Sequence, residues 1–179
     1  MKNEVLALLQ SEAQKEELTA LTACNQTTEQ FGLSLSPKDA RELIASKRDS
    51  LAKYRRVEFS DSILPKLVFT FCDSQYLHQA VYLETLQKLT DMFYEFKNES
   101  ADQVTDDELL TFMYEQYETV CAGDLSYLEE TCLERFSRAV RSGHESYKQT
   151  QGVDAYHEFN EETHWDPETY RQVLKELFW

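Results

Sequence analysis

The chain has 179 residues but only four glycines and three prolines, which excludes a sandwich or barrel made of many short strands. Its net charge is −15, and the excess lies in residues 61–179, where nine Lys/Arg oppose twenty-four Asp/Glu (9 − 24 = −15). Acidic surfaces repel phosphate groups, so we expect neither nucleic acid nor a membrane as a partner.

The N-terminal segment MKNEVLALLQ has only five apolar residues, too few for a signal peptide or a membrane span. We therefore expect a cytoplasmic protein. The first predicted helix covers residues 11–32. Leu18 and Leu21 lie on its weakly apolar face, and Gly32 stands where a left-handed cap ends a helix.

The second predicted helix starts at Pro37, after Ser36 as N-cap, because a proline loses no hydrogen bond at the first helical position. Lys47 and Arg48 interrupt its apolar stripe, and residues 38–56 carry seven basic and three acidic side chains. These cations either pack their stems while their charged ends reach water, or they form a basic ridge. Such a ridge would dock against acidic helices of this protein or of a partner.

The most apolar run is SDSILPKLVFTFCDSQYLHQ, residues 60–79. Phe69 points about 150° away from the main stripe if each residue advances ~100°. We predict a central helix that starts at Asp61 or Ser62 and is buried on two sides. A strand through KLVFTF is the alternative, because short apolar runs are ambiguous. The main stripe consists of Ile63, Leu64, Leu67, Val68 and Phe71.

Three further helices are predicted at about residues 76–98, 105–121 and 124–141. Each repeats large apolar side chains at steps of three and four, which is typical of helices that pack along their length in a bundle. Thr105 and Glu108 occupy the positions of a capping box. The short connections favour antiparallel neighbours.

Residues 143–179 are predicted to be an acidic linker followed by a helix in DPETYRQVLKELFW, whose apolar face would be covered by the bundle or by another subunit. In the linker, Glu161 and His164 form one Glu-x-x-His set, with His157 four residues before the glutamate. A carboxylate-bridged di-iron site needs two such sets, and the second is absent from the sequence. We therefore predict no metal site and no cofactor.

Catalytic motifs are missing as well. The glycines are too far apart for a phosphate-binding loop, and no G-x-S-x-G elbow occurs. Cys72, Asp73 and His78 resemble the parts of a thiol nucleophile. However, Cys72 falls at the C-terminal end of its predicted helix, where the helix dipole and Asp73 disfavour a thiolate. No catalytic residue is identified.

The segments VEFSDSILPKLVFTFCDSQYL, MFYEFKNE and TDDELLTFMYEQYE resemble a small bacterial family known only as a domain of unknown function. The resemblance covers residues 15–142 or so. It implies a bacterial, cytoplasmic origin, and it brings no activity, substrate or catalytic residue.

Together these patterns predict an all-α protein, an irregular antiparallel bundle of six to eight helices over residues 1–142, with residues 143–179 packed on it. We expect a non-enzymatic module that binds a protein partner or forms a homo-oligomer. The alternative is an enzyme or small-ligand binder with a pocket between helices. The residues expected to bind a partner are Lys47, Arg48, Arg55, Arg56, Phe178 and Trp179.

Overall fold

The computed structural model describes residues 2–58 and 61–143, and the regular elements in these two ranges are all helical. The prediction of an all-α bundle of six to eight helices is confirmed. A π-helical segment, Leu128–Leu133, joins the two α-helical ends of the last helix in these ranges, Leu125–Tyr127 and Glu134–Arg141, and the three together are called α6. The long helices before it are α1 (Lys2–Ala23), α2 (Pro37–Lys53), α3 (Ile63–Phe71), α4 (Tyr82–Glu99) and α5 (Asp106–Thr119). Short helical turns cover Asn25–Thr28, Glu29–Phe31 and Gln79–Val81.

The chain divides into two compact units, Met1–Asp91 and Met92–Trp179. Each unit has its own set of buried aliphatic and aromatic side chains. The predicted domain limits, 1–142 and 143–179, remain predictions.

In the first unit, α3 supplies the central apolar face. All five side chains of its predicted stripe are buried, among them Phe71, which has no exposed surface. The strand alternative is wrong, because KLVFTF, residues 66–71, lies entirely within the helix Ile63–Phe71. The expected burial on two sides is also wrong. Phe69 is 47% exposed, since its neighbours on the outer face, Lys66 and Thr70, are polar and at least partly exposed.

The predicted N-terminal signals of two helices are confirmed. The Ser36 hydroxyl accepts a hydrogen bond from the Asp39 N–H at 3.1 Å, with Pro37 in the first turn of α2. Thr105 and Glu108 form a complete capping box at the start of α5. The first helix is shifted toward the N-terminus relative to the prediction, because it runs from Lys2 to Ala23. A short α-helical turn, Asn25–Thr28, and a 3-10 turn, Glu29–Phe31, follow it, and Gly32 caps the latter in a left-handed conformation.

Asp91 links α4 to α2 inside the first unit. Its carboxylate accepts hydrogen bonds from the Ser50 hydroxyl at 2.8 Å, the Lys53 ammonium at 2.9 Å and the Tyr54 hydroxyl at 2.8 Å. Partial burial opposes ionisation, but these three donors together hold the pKa of Asp91 below its ordinary value. The ionised carboxylate therefore stabilises the packing of α2 against α4.

The second unit is built around α5 and α6. Phe112 of α5 stacks on Phe136 of α6, with ring centroids 4.1 Å apart. A buried cation, Lys97, closes the connection after α4 by donating to the Val104 carbonyl at 2.6 Å and pairing with Asp106 at 3.0 Å. This connection therefore has a defined geometry.

Phe71→Ala is expected to lower the free energy of unfolding by about 3–5 kcal/mol, because a large buried ring leaves a cavity. Phe69→Ala, two residues earlier on the same helix, is the matched control and is expected to cost less than about 1 kcal/mol. Urea denaturation followed by circular dichroism measures both. Equal losses in the two variants would contradict the assignment of the buried face.

Asp91→Asn keeps the shape of the side chain but removes its charge. A depressed pKa in the folded state means that the stabilising effect is present above the ordinary value of 3.8 and is lost as pH falls through the folded-state pKa. At pH 7 the variant is expected to be less stable by about 1–3 kcal/mol. This gap should close in acid.

Urea denaturation of wild type and variant at several pH values between neutral and strongly acidic measures the gap. Asp49→Asn, at an exposed site on α2, is the control and should change stability by less than about 0.5 kcal/mol. A gap that stays constant down to strongly acidic pH would be inconsistent with an ionised Asp91 as the link.

Candidate interaction surface on α1

The first two turns of α1 carry four exposed aliphatic side chains. Val5, Leu6, Leu8 and Leu9 are 55%, 54%, 65% and 63% exposed. Residues three and four apart are neighbours on a helix, so these side chains form one continuous surface, which we call the α1 strip. Large contiguous apolar surfaces on a folded protein typically mark sites of interaction.

Most of the α1 strip does not continue the buried face of its helix. At ~100° per residue, the centre of the strip lies roughly 100–140° around the helix axis from Glu17 and Leu21, which are half-buried and buried. Leu6 is the member nearest to that packed face, roughly 20° from Glu17. The other three side chains therefore face a different direction from the part of α1 that packs on the unit.

A buried ion cluster fixes that packed part of α1. The ammonium group of Lys47, whose residue is 6% exposed, contacts the Glu17 carboxylate, and it lies 2.8 Å from Glu58 Oε1 and 3.3 Å from Ser62 Oγ. Ser62 in turn donates to Glu17 at 2.6 Å and accepts from the Leu64 N–H. One cation thus connects α1, α2 and the N-terminus of α3.

A shallow groove of about 370 Å³ lies beside this cluster, between α1 and α2. Gln10, Ala13 and Gln14 form its α1 side, and Arg48 forms its α2 side. With its amide oxygen turned toward α2, Gln14 accepts hydrogen bonds from the Arg48 guanidinium at 3.0 and 3.2 Å. The groove starts one residue after Leu9, so it adjoins the end of the α1 strip.

The structure separates the four basic residues that the sequence grouped as partner-binding. Lys47 is buried, and its ammonium reaches two carboxylates rather than water. Arg48 is exposed at the groove, and Arg55 is exposed in a left-handed backbone conformation with φ of 55°. Arg56 is half-buried. Of the four, Arg48 is the one that lines the groove beside the α1 strip.

Two other predicted groups lie outside the described residues. Phe178 and Trp179 belong there, and so does the possible metal set of His157, Glu161 and His164. Within residues 2–58 and 61–143, no cluster of three or more His, Cys, Asp or Glu side chains is placed to hold a metal ion.

Cys72 is buried, and burial followed by the nearby Asp73 carboxylate raises the pKa of its thiol. Its Sγ lies 3.3 Å from the Phe69 carbonyl, to which it donates. A thiol with these surroundings is a poor nucleophile at neutral pH.

The α1 strip was not predicted, because the segment MKNEVLALLQ was tested against the pattern of a signal peptide or a membrane span and not against that of an amphipathic helix. A signal was present, since Val5, Leu6, Leu8 and Leu9 recur at helical spacing directly before the first predicted helix. What the sequence does not show is that these four side chains stay more than half exposed among the described residues.

Residues 20–146 match the model of a family of unknown function, DUF6323, so the chain belongs to that family. This confirms the resemblance to an uncharacterised family. Neither a curated protein nor a solved structure matches the chain. Of the helices that the structure describes, none has the length and apolar character that crossing a bilayer requires.

Lys47→Met is expected to lower the free energy of unfolding by about 3–5 kcal/mol, because it leaves the Glu17 and Glu58 carboxylates, whose side chains are 12% and 17% exposed, without their cation. Lys38→Met is the control, since the Lys38 side chain lies on the same helix, is 82% exposed, and pairs with Glu42 of its own helix at 3.8 Å. It should change stability by less than about 1 kcal/mol. Urea denaturation measures both, and a small effect of Lys47→Met would show that the cluster does not fix α1.

Proposed function

We propose that the protein is a non-enzymatic protein-interaction module whose α1 strip binds an amphipathic helix of another protein. The apolar face of that partner helix would be bordered by lysine or arginine side chains. The observation that carries the proposal is the exposure of four adjacent aliphatic side chains on a helix that the Lys47 cluster fixes to the fold.

The chemistry of the α1 strip favours an apolar partner. No charged side chain lies between Val5 and Leu9 in the sequence. Removing a large aliphatic side chain from water is worth about 1.5–3 kcal/mol. Four such side chains supply at most about 6–12 kcal/mol, which is of the same order as the cost of association, and their presentation on a preformed helix keeps that cost low.

The charges that follow the α1 strip favour basic residues on the partner. Glu12 and Glu16 are exposed, and at ~100° per residue they fall on the side of α1 that carries Val5 and Leu9. Glu12 pairs with Lys15 at 3.0 Å, but an exposed pair of this kind is weak and can exchange for a partner's cation. Two copies of a chain with net charge −15 repel each other, so a separate protein fits better than a second copy.

The cysteines support a reducing setting such as the cytoplasm. Cys24, Cys72, Cys121 and Cys132 are all free and buried. Secreted proteins of this size commonly use such cysteines in disulfides. We place the interaction in the cytoplasm on this ground.

Leu6→Glu/Leu9→Glu places two carboxylates in the α1 strip without touching the buried face. The matched control is Val57→Glu/Val81→Glu, which makes the same chemical change at two residues that are 69% and 43% exposed elsewhere in the first unit. Wild type and both variants serve as bait in extracts of the source cell, with quantitative mass spectrometry. A protein retained by wild type and control but lost by the α1 variant is then purified and titrated.

We expect the purified partner to bind wild type and control equally and the α1 variant at least ~100-fold more weakly, since two buried aliphatic contacts are lost. Equal binding to all three chains would overturn the proposal. So would the absence of any purified protein that binds, or binding of the strip to phosphatidylcholine vesicles. Sedimentation velocity tests whether a second copy of this chain occupies the α1 strip. If wild type and control self-associate and the α1 variant does not, a second copy and not a separate protein is the partner.

A further inference from the structure

Two buried thiols touch in the second unit. The Sγ atoms of Cys121 and Cys132 are 3.6 Å apart, and the two residues are 5% and 0% exposed. Cys121 follows α5 in the turn that leads to α6, whereas Cys132 lies in the π-helical segment of α6. The pair therefore joins the end of one helix to the interior of the next.

The backbone is irregular on both sides of this contact. Ala122 and Gly123, directly after Cys121, have left-handed conformations with φ of 49° and 83°. The Gly123 N–H donates to the Tyr117 carbonyl, six residues earlier, at 3.0 Å, which closes the turn at the end of α5. A π-helical turn is rare, and where it occurs it is frequently at a functional site. Neither cysteine is thus held in the middle of a regular α-helix.

We propose that Cys121 and Cys132 are a redox modification site, at which a hydroperoxide converts the two thiols into one intramolecular disulfide. The sulfur atoms have to approach from 3.6 Å to a bond length of about 2.05 Å. The turn after Cys121 can supply this movement, because Ala122 is exposed and the turn borders the solvent.

The reaction has two balanced steps. The Cys132 sulfur attacks one oxygen of the hydroperoxide, which breaks the O–O bond and gives a sulfenic acid and an alcohol, or water if the oxidant is hydrogen peroxide. The Cys121 sulfur then attacks the sulfenic sulfur and expels hydroxide, which takes up the thiol proton as water. In sum, two thiols lose two electrons and two protons, and the hydroperoxide gains them.

The electrostatics assign these roles. The hydrogen bond between the two thiols, in which either sulfur can be the donor, and the Arg135 guanidinium together lower the pKa of Cys132 against the opposing effect of burial. The same hydrogen bond, with burial, raises the pKa of Cys121. Cys132 is thus the better initial nucleophile, and Cys121 resolves the sulfenic acid.

The first unit contains a matched control pair. Cys24 and Cys72 are equally buried, at 2% and 7% exposure, but burial raises the pKa of both. Each thiol donates to a backbone carbonyl, of Ala20 and Phe69 respectively, at 3.3 Å. The two pairs are therefore similar in burial, and they differ in the hydrogen-bond partner of each thiol, which is the other cysteine for Cys121 and Cys132 and a backbone carbonyl for Cys24 and Cys72.

The full chain is treated with hydrogen peroxide while circular dichroism shows that it stays folded, and then denatured and alkylated with iodoacetamide at intervals. We expect Cys121 and Cys132 to lose alkylation together, at least about tenfold faster than Cys24 and Cys72. Cleavage before Asp124 should leave two peptides linked until dithiothreitol separates them. In urea, all four thiols should react at similar rates.

Equal oxidation rates for all four thiols in the folded chain would overturn the proposal. So would oxidation of Cys121 and Cys132 only after urea has unfolded the chain. Cys121→Ser tests the order of the steps, because Cys132 should then accumulate as a sulfenic acid that dimedone traps. A dimedone adduct on Cys132 in this variant and its absence in wild type support the resolving role. No adduct in the variant, if it is folded, would overturn that assignment.

Discussion

The first unit depends on one buried cation. The Lys47 ammonium lies between the Glu17 and Glu58 carboxylates, so this cluster contains two acidic groups and one basic group. Two features offset this excess. Ser62 donates to Glu17, and the Ile63 N–H, at the N-terminus of α3, donates to Glu58 at 3.4 Å. A helix N-terminus favours a carboxylate, which lets the second acid stay in a site with little water. Such clusters specify one geometry more than they add stability.

The position of Lys47 makes α2 the element that orders the first unit. Its buried face begins with Ala40 and Leu43, as a helix that packs by apolar burial would, and then changes to Lys47 and Ser50. The hydrophobic effect is non-directional, so apolar contacts define the register of a helix less sharply than hydrogen bonds and ion pairs do. The polar end defines it sharply, since Lys47 has to meet acids of α1 and Ser50 has to meet Asp91 of α4. The polar part of the buried face of α2, with Lys47 and Ser50, therefore fixes the position of α2 along its axis relative to its neighbours.

Local signals in the sequence predicted the caps and the buried stripes, because both depend on residues within four positions of one another. The sequence left two roles open for Lys47, a charge in water or a basic ridge docked on acidic helices of this protein or of a partner. It could not choose between them, since the partner Glu17 is 30 residues away. The Cys121 and Cys132 contact was missed for the same reason. Phe69 and the α1 strip were missed for another reason. Helical spacing shows that a face is apolar, but burial depends on whether another element covers that face.

The family match helps to separate the fold from the surface. It begins at residue 20 and so includes the buried Leu21 at the end of α1 and the buried Cys24 directly after that helix, together with α2 and α3. The α1 strip precedes it. Core residues are required wherever this fold occurs, since without them the helices have nothing to pack against. The four side chains of the strip are more than half exposed, so they contribute little to the packing of the described residues, and exposed aliphatic surface adds a risk of aggregation. Their position on a helix that the Lys47 cluster holds in place, outside the matched region, is the observation on which the proposed binding role rests.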